Sequence, residues 1–181
     1  MKKIMFNDKY GLTQAVLEGR KTQTRRTFLK PGEETLLHGI TSDYLISVKS
    51  RYKVGETIAI AQPYADITPQ VDWVKCMIRK ETLGWNNKMF VRAEDMPHHI
   101  RITKIRVERL QDIKSEDCLN EGLWRAGDVG LEGTTYWYHG LANSSFRTPQ
   151  EAYASLIDRI SGKGTWASNP YVFVYDFELI N

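Results

Sequence analysis

The chain has 181 residues, 41% of them hydrophobic and 26% charged, which is enough to close one core without disulfides or a metal and argues against wholesale disorder. Its net charge of +3 does not by itself point to a nucleic-acid partner, because placement matters more than the total. No apolar run approaches the roughly 20 residues needed to span a bilayer, and Ile4-Met5-Phe6 behind Met1-Lys2-Lys3 is too short for a signal peptide, so a cytoplasmic protein is expected.

In chain order, Thr13 reads as the N-cap of a short helix through Ala15, Val16 and Leu17, with Gly19 in the left-handed position beyond it. The segment Lys21 to Arg26 reads as extended, with Lys21, Gln23 and Arg25 on one face and Thr22, Thr24 and Arg26 on the other. Pro31-Gly32 ends this unit. Val54-Gly55-Glu56 turns into a buried strand from Thr57 to Ala61, stopped by Pro63. Residues 64–99 form an excursion, with short strands predicted at Trp73–Ile78 and Met89–Ala93. From Ile100 to Leu110 the apolar parity slips by one residue, which predicts a strand with a bulge near Thr103-Lys104. Ser115 reads as the cap of a short helix with Glu116 and Asp117 in its first turn, closed by Gly122. Residues 125–147, rich in glycine and polar residues, read as a long loop. The clearest helix opens with Thr148 as cap, Pro149 first and Glu151 completing a capping box; Ala152, Leu156, Ile157 and Ile160 make its buried stripe, and Gly162 ends it. Tyr171 to Ile180 is apolar on both faces at its start and reads as a central strand.

Strands outnumber helices and do not alternate with them. The expected class is therefore α+β: a small, mostly antiparallel β-barrel with helices packed at its ends. One domain spans residues 1–181, with 64–99 and 125–147 as elaborations. Cys76 and Cys118 form no CxxC pair, and no histidine stands at ligand spacing from either; His98 and His99 are adjacent and diverge. Neither a metal nor another cofactor is expected, and both thiols read as buried or half-buried.

Three segments carry candidate chemistry. In Gly19-Arg20-Lys21-Thr22-Gln23-Thr24-Arg25-Arg26 four cations crowd together, with no acid between Glu18 and Glu33. Cations so placed repel one another unless solvent or an anion relieves them, and arginine forks suit phosphates and base edges. The plainer alternative is a solvated strand edge kept soluble by charge. In the second segment, Glu116 and Asp117 suit a helix N-terminus, whereas Glu121 stands at the C-terminal end, where a negative charge opposes the helix dipole. In the third, Ser161-Gly162-Lys163-Gly164-Thr165-Trp166, a lysine between glycines beside a tryptophan suits a rim that touches a phosphate and stacks a base. The alternative there is a helix stop with Trp166 folded onto the core.

The first segment, behind its short helix, resembles the signature of ASCH domains, small barrels related to the PUA RNA-binding domain. Val54-Gly55-Glu56, Ser115-Glu116-Asp117 through Glu121-Gly122, and Gly162 to Trp166 with Asn169-Pro170 and the aromatic final strand are similar to the longer ASCH proteins of bacteria and phages. The resemblance implies a PUA-like barrel that binds RNA or a nucleotide in a basic cleft lined by Arg20, Arg25, Arg26, Lys163 and Trp166. A shorter branch of the family hydrolyses acetylated cytidine without a metal. Its lysine, threonine and glutamate fall on Lys21, Thr24 and Glu121, with the lysine activating the threonine and Arg25 or Arg26 holding the oxyanion. On an extended strand Lys21 and Thr24 face opposite ways, so that chemistry needs a turn between them. Binding of RNA, a nucleotide or a modified nucleoside therefore ranks ahead of catalysis. A protein-interaction module, with an exposed apolar patch in place of converging polar groups, is the third reading.

Overall fold

The structure, a computed structural model, describes residues 1–29, 39–67, 80–126, 134–140 and 145–180. Its strands are β1 (Lys2–Ile4), β2 (Gln23–Thr27), β3 (Thr57–Ile60), β4 (His99–Arg109), β5 (Trp124–Ala126), β6 (Thr135–Trp137) and β7 (Tyr171–Ile180). Its α-helices are α1 (Leu12–Leu17), α2 (Ser42–Lys49), α3 (Tyr64–Ile67), α4 (Ser115–Asn120), α5 (Pro149–Ser161) and α6 (Thr165–Ser168).

Five strands form one sheet in the order β1-β3-β4-β7-β2, and β5 pairs with β6 in a second sheet. The long apolar β7 lies inside the larger sheet, between β4 and β2, as its two apolar faces demand. Its pairing with β4 shifts register between Ile102 and Lys104, where the parity slip was read. All pairings in this sheet are antiparallel except that of β1 with β3.

The expected barrel does not form. The sheet is open, and among the described residues β1 and β2 stand as unpaired edges. The reason lies in the chain after β1: it leaves the strand at Met5 and turns through a 3₁₀ segment, Asp8–Tyr10, into α1, so only Lys2–Ile4 offers ladder hydrogen bonds. A seam remains between residues 3–7 on one side and 24–28 on the other.

The main core joins Ile58 and Ile60 of β3 with Ile100, Ile102, Val172, Phe173, Val174, Tyr175 and Phe177, and with Tyr153 and Leu156 of α5. Ala59 and Ala61 point the other way, into a second cluster with Tyr64, Ile67, Val91, Ala93 and Met96. The described part of the 64–99 excursion thus covers the second face of β3. Helix α5 has the cap read for it, Thr148 Oγ1 accepting from Glu151 N with Pro149 opening the helix, but among the described residues the Glu151 side chain makes no return bond to Thr148 N, so the capping box is half formed. Tyr153 joins its buried stripe, while Ile157 and Ile160 are only half-buried.

Other local expectations are corrected. The N-cap of α1 is Gly11 rather than Thr13, whose hydroxyl instead donates to Asp8 Oδ1 at 2.5 Å. Lys114 precedes α4, and Ser115 is its first residue. Met89–Ala93 is not a strand: Met89 and Phe90 belong to a 3₁₀ turn, Lys88–Phe90, and Ala93 opens another, Ala93–Asp95. Trp73–Ile78 lies outside the described residues. The 125–147 stretch contains β6 and the end of β5, so its described part is not all loop.

Candidate functional site

Lys21 escapes strand geometry. The Arg20 and Lys21 amides both donate to Ala15 O, Thr22 N donates to Asn120 O, and the ladder begins only at Gln23. The alternation that would separate Lys21 from Thr24 therefore does not apply, and both line one cleft. Gly122, at φ 99°, allows the end of α4 to lie against this turn: a Cβ there would stand 3.2 Å from Ala15 Cβ and 3.4 Å from Lys21 Cβ. That close approach carries Glu121 to Lys21.

The Lys21 ammonium is buried, and Nζ donates to Glu121 Oε2 at 2.5 Å, to Gln23 O at 2.8 Å and to Glu121 O at 2.9 Å. Burial lowers the proton affinity of Lys21 below that of an ordinary lysine, and Glu121 opposes the shift without reversing it. Arg25 Nη1 donates to the other Glu121 oxygen at 3.1 Å and to Gln23 Oε1 at 2.5 Å. Its Nε and Nη2 donate to Glu108 Oε1 at 3.0 and 2.7 Å, and Nη2 also reaches Asp117 Oδ2 at 3.2 Å. Burial alone would lower the guanidinium, but Glu121, Tyr153 and Glu108 outweigh it and hold Arg25 above its ordinary value. Every N–H of Arg25 is committed within the protein.

The network continues behind. Arg106 donates to Glu108 at 3.0 Å, Asp176 at 2.7 Å and Asp117 at 3.2 Å, and Gln23 Nε2 donates to Asp176 at 2.5 Å and Asp117 at 3.1 Å. Lys21, Arg25 and Arg106 thus meet Glu108, Asp117, Glu121 and Asp176: two of the four cations that look unrelieved in the sequence, Lys21 and Arg25, are neutralised from β4 and from α4 with its C-cap.

The cleft has a volume of about 290 Å³. Lys21, Thr24, Arg25, Arg26 and Glu121 line it, facing an apolar wall that includes Phe6, Leu12, Leu156 and Ile160. The Phe6 ring lies 5.8 Å from Lys21 Nζ and 6.0 Å from the Arg26 guanidinium carbon. Thr24 is buried, yet its hydroxyl makes no hydrogen bond with the described residues and is not sealed from solvent, so it opens into the cleft. No hydrogen bond joins it to Lys21. Arg26 is exposed; its Nη2 crosses the seam to Met5 O at 2.7 Å, and its other donors meet no partner among the described residues.

Three expected site residues stand elsewhere. Arg20 pairs with Glu18 at 2.7 Å and stacks on Trp124 at 3.7 Å, away from the cleft lining. Lys163 is exposed in the turn between α5 and α6. Trp166 is half-buried edge-on to Tyr153 at 6.2 Å, supporting the cleft wall from behind rather than lining it. The sequence reading missed Tyr153 and the acids Glu108, Asp117 and Asp176 as members of the site. One signal was present: Asp176 interrupts the apolar run Tyr171–Phe177 of β7, and Arg106 and Glu108 share one face of β4. Cys118 is buried, and burial pushes its thiol up to about 12, well above the range of activated thiols.

No family model and no curated protein matches the chain. A solved structure similar to it is protein EF3133 from Enterococcus faecalis, of family DUF984, with 15% identity and a TM-score of 0.42 over 99% of this chain and 80% of that one. A likeness so slight bears on neither fold nor function. No described helix is long and apolar enough to cross a membrane.

Proposed function

We propose that this protein is a metal-independent amidohydrolase acting on the acetyl amide of cytidine-type nucleosides, with Thr24 as nucleophile, Lys21 as base and Glu121 as its proton partner. The observation that carries the reading is the buried Lys21–Glu121 contact of 2.5 Å in the same small cleft as the unbonded Thr24 hydroxyl. The likeness of the segment Gly19 to Arg26 to ASCH proteins supports it.

The donors of the Lys21 ammonium are all occupied, so the reaction begins with passage of a proton to Glu121 Oε2, which leaves a lone pair on Nζ. Lys21 then takes the Thr24 proton as the threonine oxygen bonds to the acetyl carbon. Arg26, with donors unpartnered among the described residues, stabilises the oxyanion; Arg25, fully committed, orients Glu121 instead. The C–N bond breaks, and the exocyclic amine leaves with the proton held by Lys21. Water then attacks the acetyl ester, giving one proton to Lys21; that proton restores the Thr24 hydroxyl as acetic acid departs and loses its own proton to solvent, and Glu121 returns its proton to Lys21. The apolar wall suits a flat base, and an uncharged substrate suits a site whose cations are already paired.

Polyanion binding, ranked ahead on the sequence, loses its main support in this geometry, because Lys21 and Arg25 have no charge left to offer. The deciding experiment is incubation of the wild type, Lys21→Ala and Thr24→Ala with acetylated cytidine, following release of acetate. Turnover by the wild type that both substitutions abolish is the expected result. No turnover, with salt-dependent RNA binding that Arg26→Ala weakens, would reinstate the binding reading.

A further inference from the structure

The seam between β1 and β2 continues past Arg26 into a second hollow of about 430 Å³. Met5, Arg26 and Thr27 line both cavities, so the two are neighbours along one opening. Their electrostatics differ. Three cations, Arg26, Lys49 and Arg51, line the second, with no carboxylate among the described residues; Lys3 borders it too, but its ammonium turns to the other face of the sheet. Lys3 Nζ is oriented by Met89 O and Val91 O, both at 2.7 Å, which do not cancel its charge. The Arg51 guanidinium leans over the Tyr52 ring at 5.6 Å, and Lys49 and Arg51 are exposed. Glu56, which acts electrostatically on Tyr52, is paired with Lys2 at 3.0 Å and does not line the hollow. The floor is aromatic: Phe28 stacks on Phe173 at 4.1 Å, and Tyr52 meets Tyr175 edge-on at 5.2 Å. Cations drawn together from β2 and the end of α2, with no acid among the described residues lining the hollow, repel one another, and a bound anion relieves that repulsion.

We propose that this hollow is the phosphate subsite of the same seam, and that the preferred substrate is a mononucleotide. Its acetylated base lies in the inner cleft, and its phosphate passes Arg26 to Lys49 and Arg51. The substrate assignment rests on the hydrolase reading; the phosphate subsite does not. Arg26 is the hinge of the arrangement, since it borders both cavities and bonds across the seam.

Two measurements separate the ideas. In titration calorimetry, cytidine 5′-monophosphate should bind the wild type at least about tenfold more tightly than cytidine, as charge-assisted phosphate contacts provide. In the Lys49→Ala/Arg51→Ala double variant that preference should shrink to within about threefold. Both side chains are exposed, and an unchanged melting temperature will confirm that the variant is folded. Equal or undetectable binding of both ligands, or a preference that survives in the double variant, overturns the subsite. An RNA pentamer bound more than about tenfold tighter than the monophosphate overturns the choice of a mononucleotide. In the second measurement, kcat/KM for acetylated cytidine is compared with that for its 5′-monophosphate. Turnover of both without preference for the monophosphate leaves the hydrolase standing and removes the subsite. Tight monophosphate binding with no turnover of either keeps the subsite and removes the hydrolase.

Discussion

On one side of Arg26, Lys21 and Arg25 are buried and paired with carboxylates from other elements; on the other, Lys49 and Arg51 stand at the surface with no acid partner among the described residues. The same residue types thus do opposite jobs within one seam. A buried cation is so costly to desolvate that it must be neutralised, and once neutralised it holds a carboxylate or gives up a proton rather than recruiting an anion. An exposed cation is inexpensive to keep unpaired and remains available to a phosphate. Counting lysines and arginines in a motif does not distinguish these states.

Glu121→Ala attacks the paired side most directly. It leaves two buried cations facing a missing carboxylate, so it should abolish turnover and destabilise the fold by about 3–5 kcal/mol, read from a denaturant midpoint. A loss below about 1 kcal/mol would mean that water already screens the pair, and the contrast with the outer hollow would collapse.

Thr24→Ala should separate chemistry from architecture. Its hydroxyl bonds to nothing among the described residues, so stability should change by only about 1 kcal/mol or less while kcat/KM falls about 10³-fold or more. Thr24→Ser should recover part of the rate. Retention of more than about a tenth of the activity in Thr24→Ala would exclude it as the nucleophile.

Salt gives a gentler test. Turnover of uncharged acetylated cytidine should be nearly flat with ionic strength, whereas each phosphate contact to a single strand contributes a log–log slope of about 0.7. A steep salt dependence of nucleoside turnover would show that the inner cleft still acts as a field of free cations.

The smallest effect concerns Cys118 at the back of the network. Its thiol lies near 9.0 when unfolded and is pushed up to about 12 by burial. Between those values the unfolded chain holds fewer protons than the folded one, so this contribution is complete below pH 9 and is lost as pH rises toward 12. Cys118→Ala should flatten that part of an alkaline stability profile. An unchanged profile would place the loss elsewhere.

Much of the scaffold was legible because its signals are local. The Thr148-Pro149 cap, the bulge at Ile102–Lys104 and the two-faced strand from Tyr171 each depend on a few neighbouring residues, and each stands where it was read. Of the candidate site residues, Lys21, Thr24, Arg25, Arg26 and Glu121 line one cleft, whereas Arg20, Lys163 and Trp166 do not. Barrel closure was misread because it depends on whether two distant edges meet, and a three-residue β1 followed by a turn leaves them apart. The state of the cations was misread for a related reason. No acid lies near Arg25 in sequence, yet Glu108, Glu121 and Asp117 reach it from β4 and the end of α4 across separations of 83 to 96 residues. The sequence by itself determined which residues are available for chemistry and which segments become helix or strand, because propensity, capping and periodicity act over a few residues. Only the tertiary structure decided which charges cancel, which hydroxyl stays free and where the sheet stays open, because burial and ion pairing depend on distance through space.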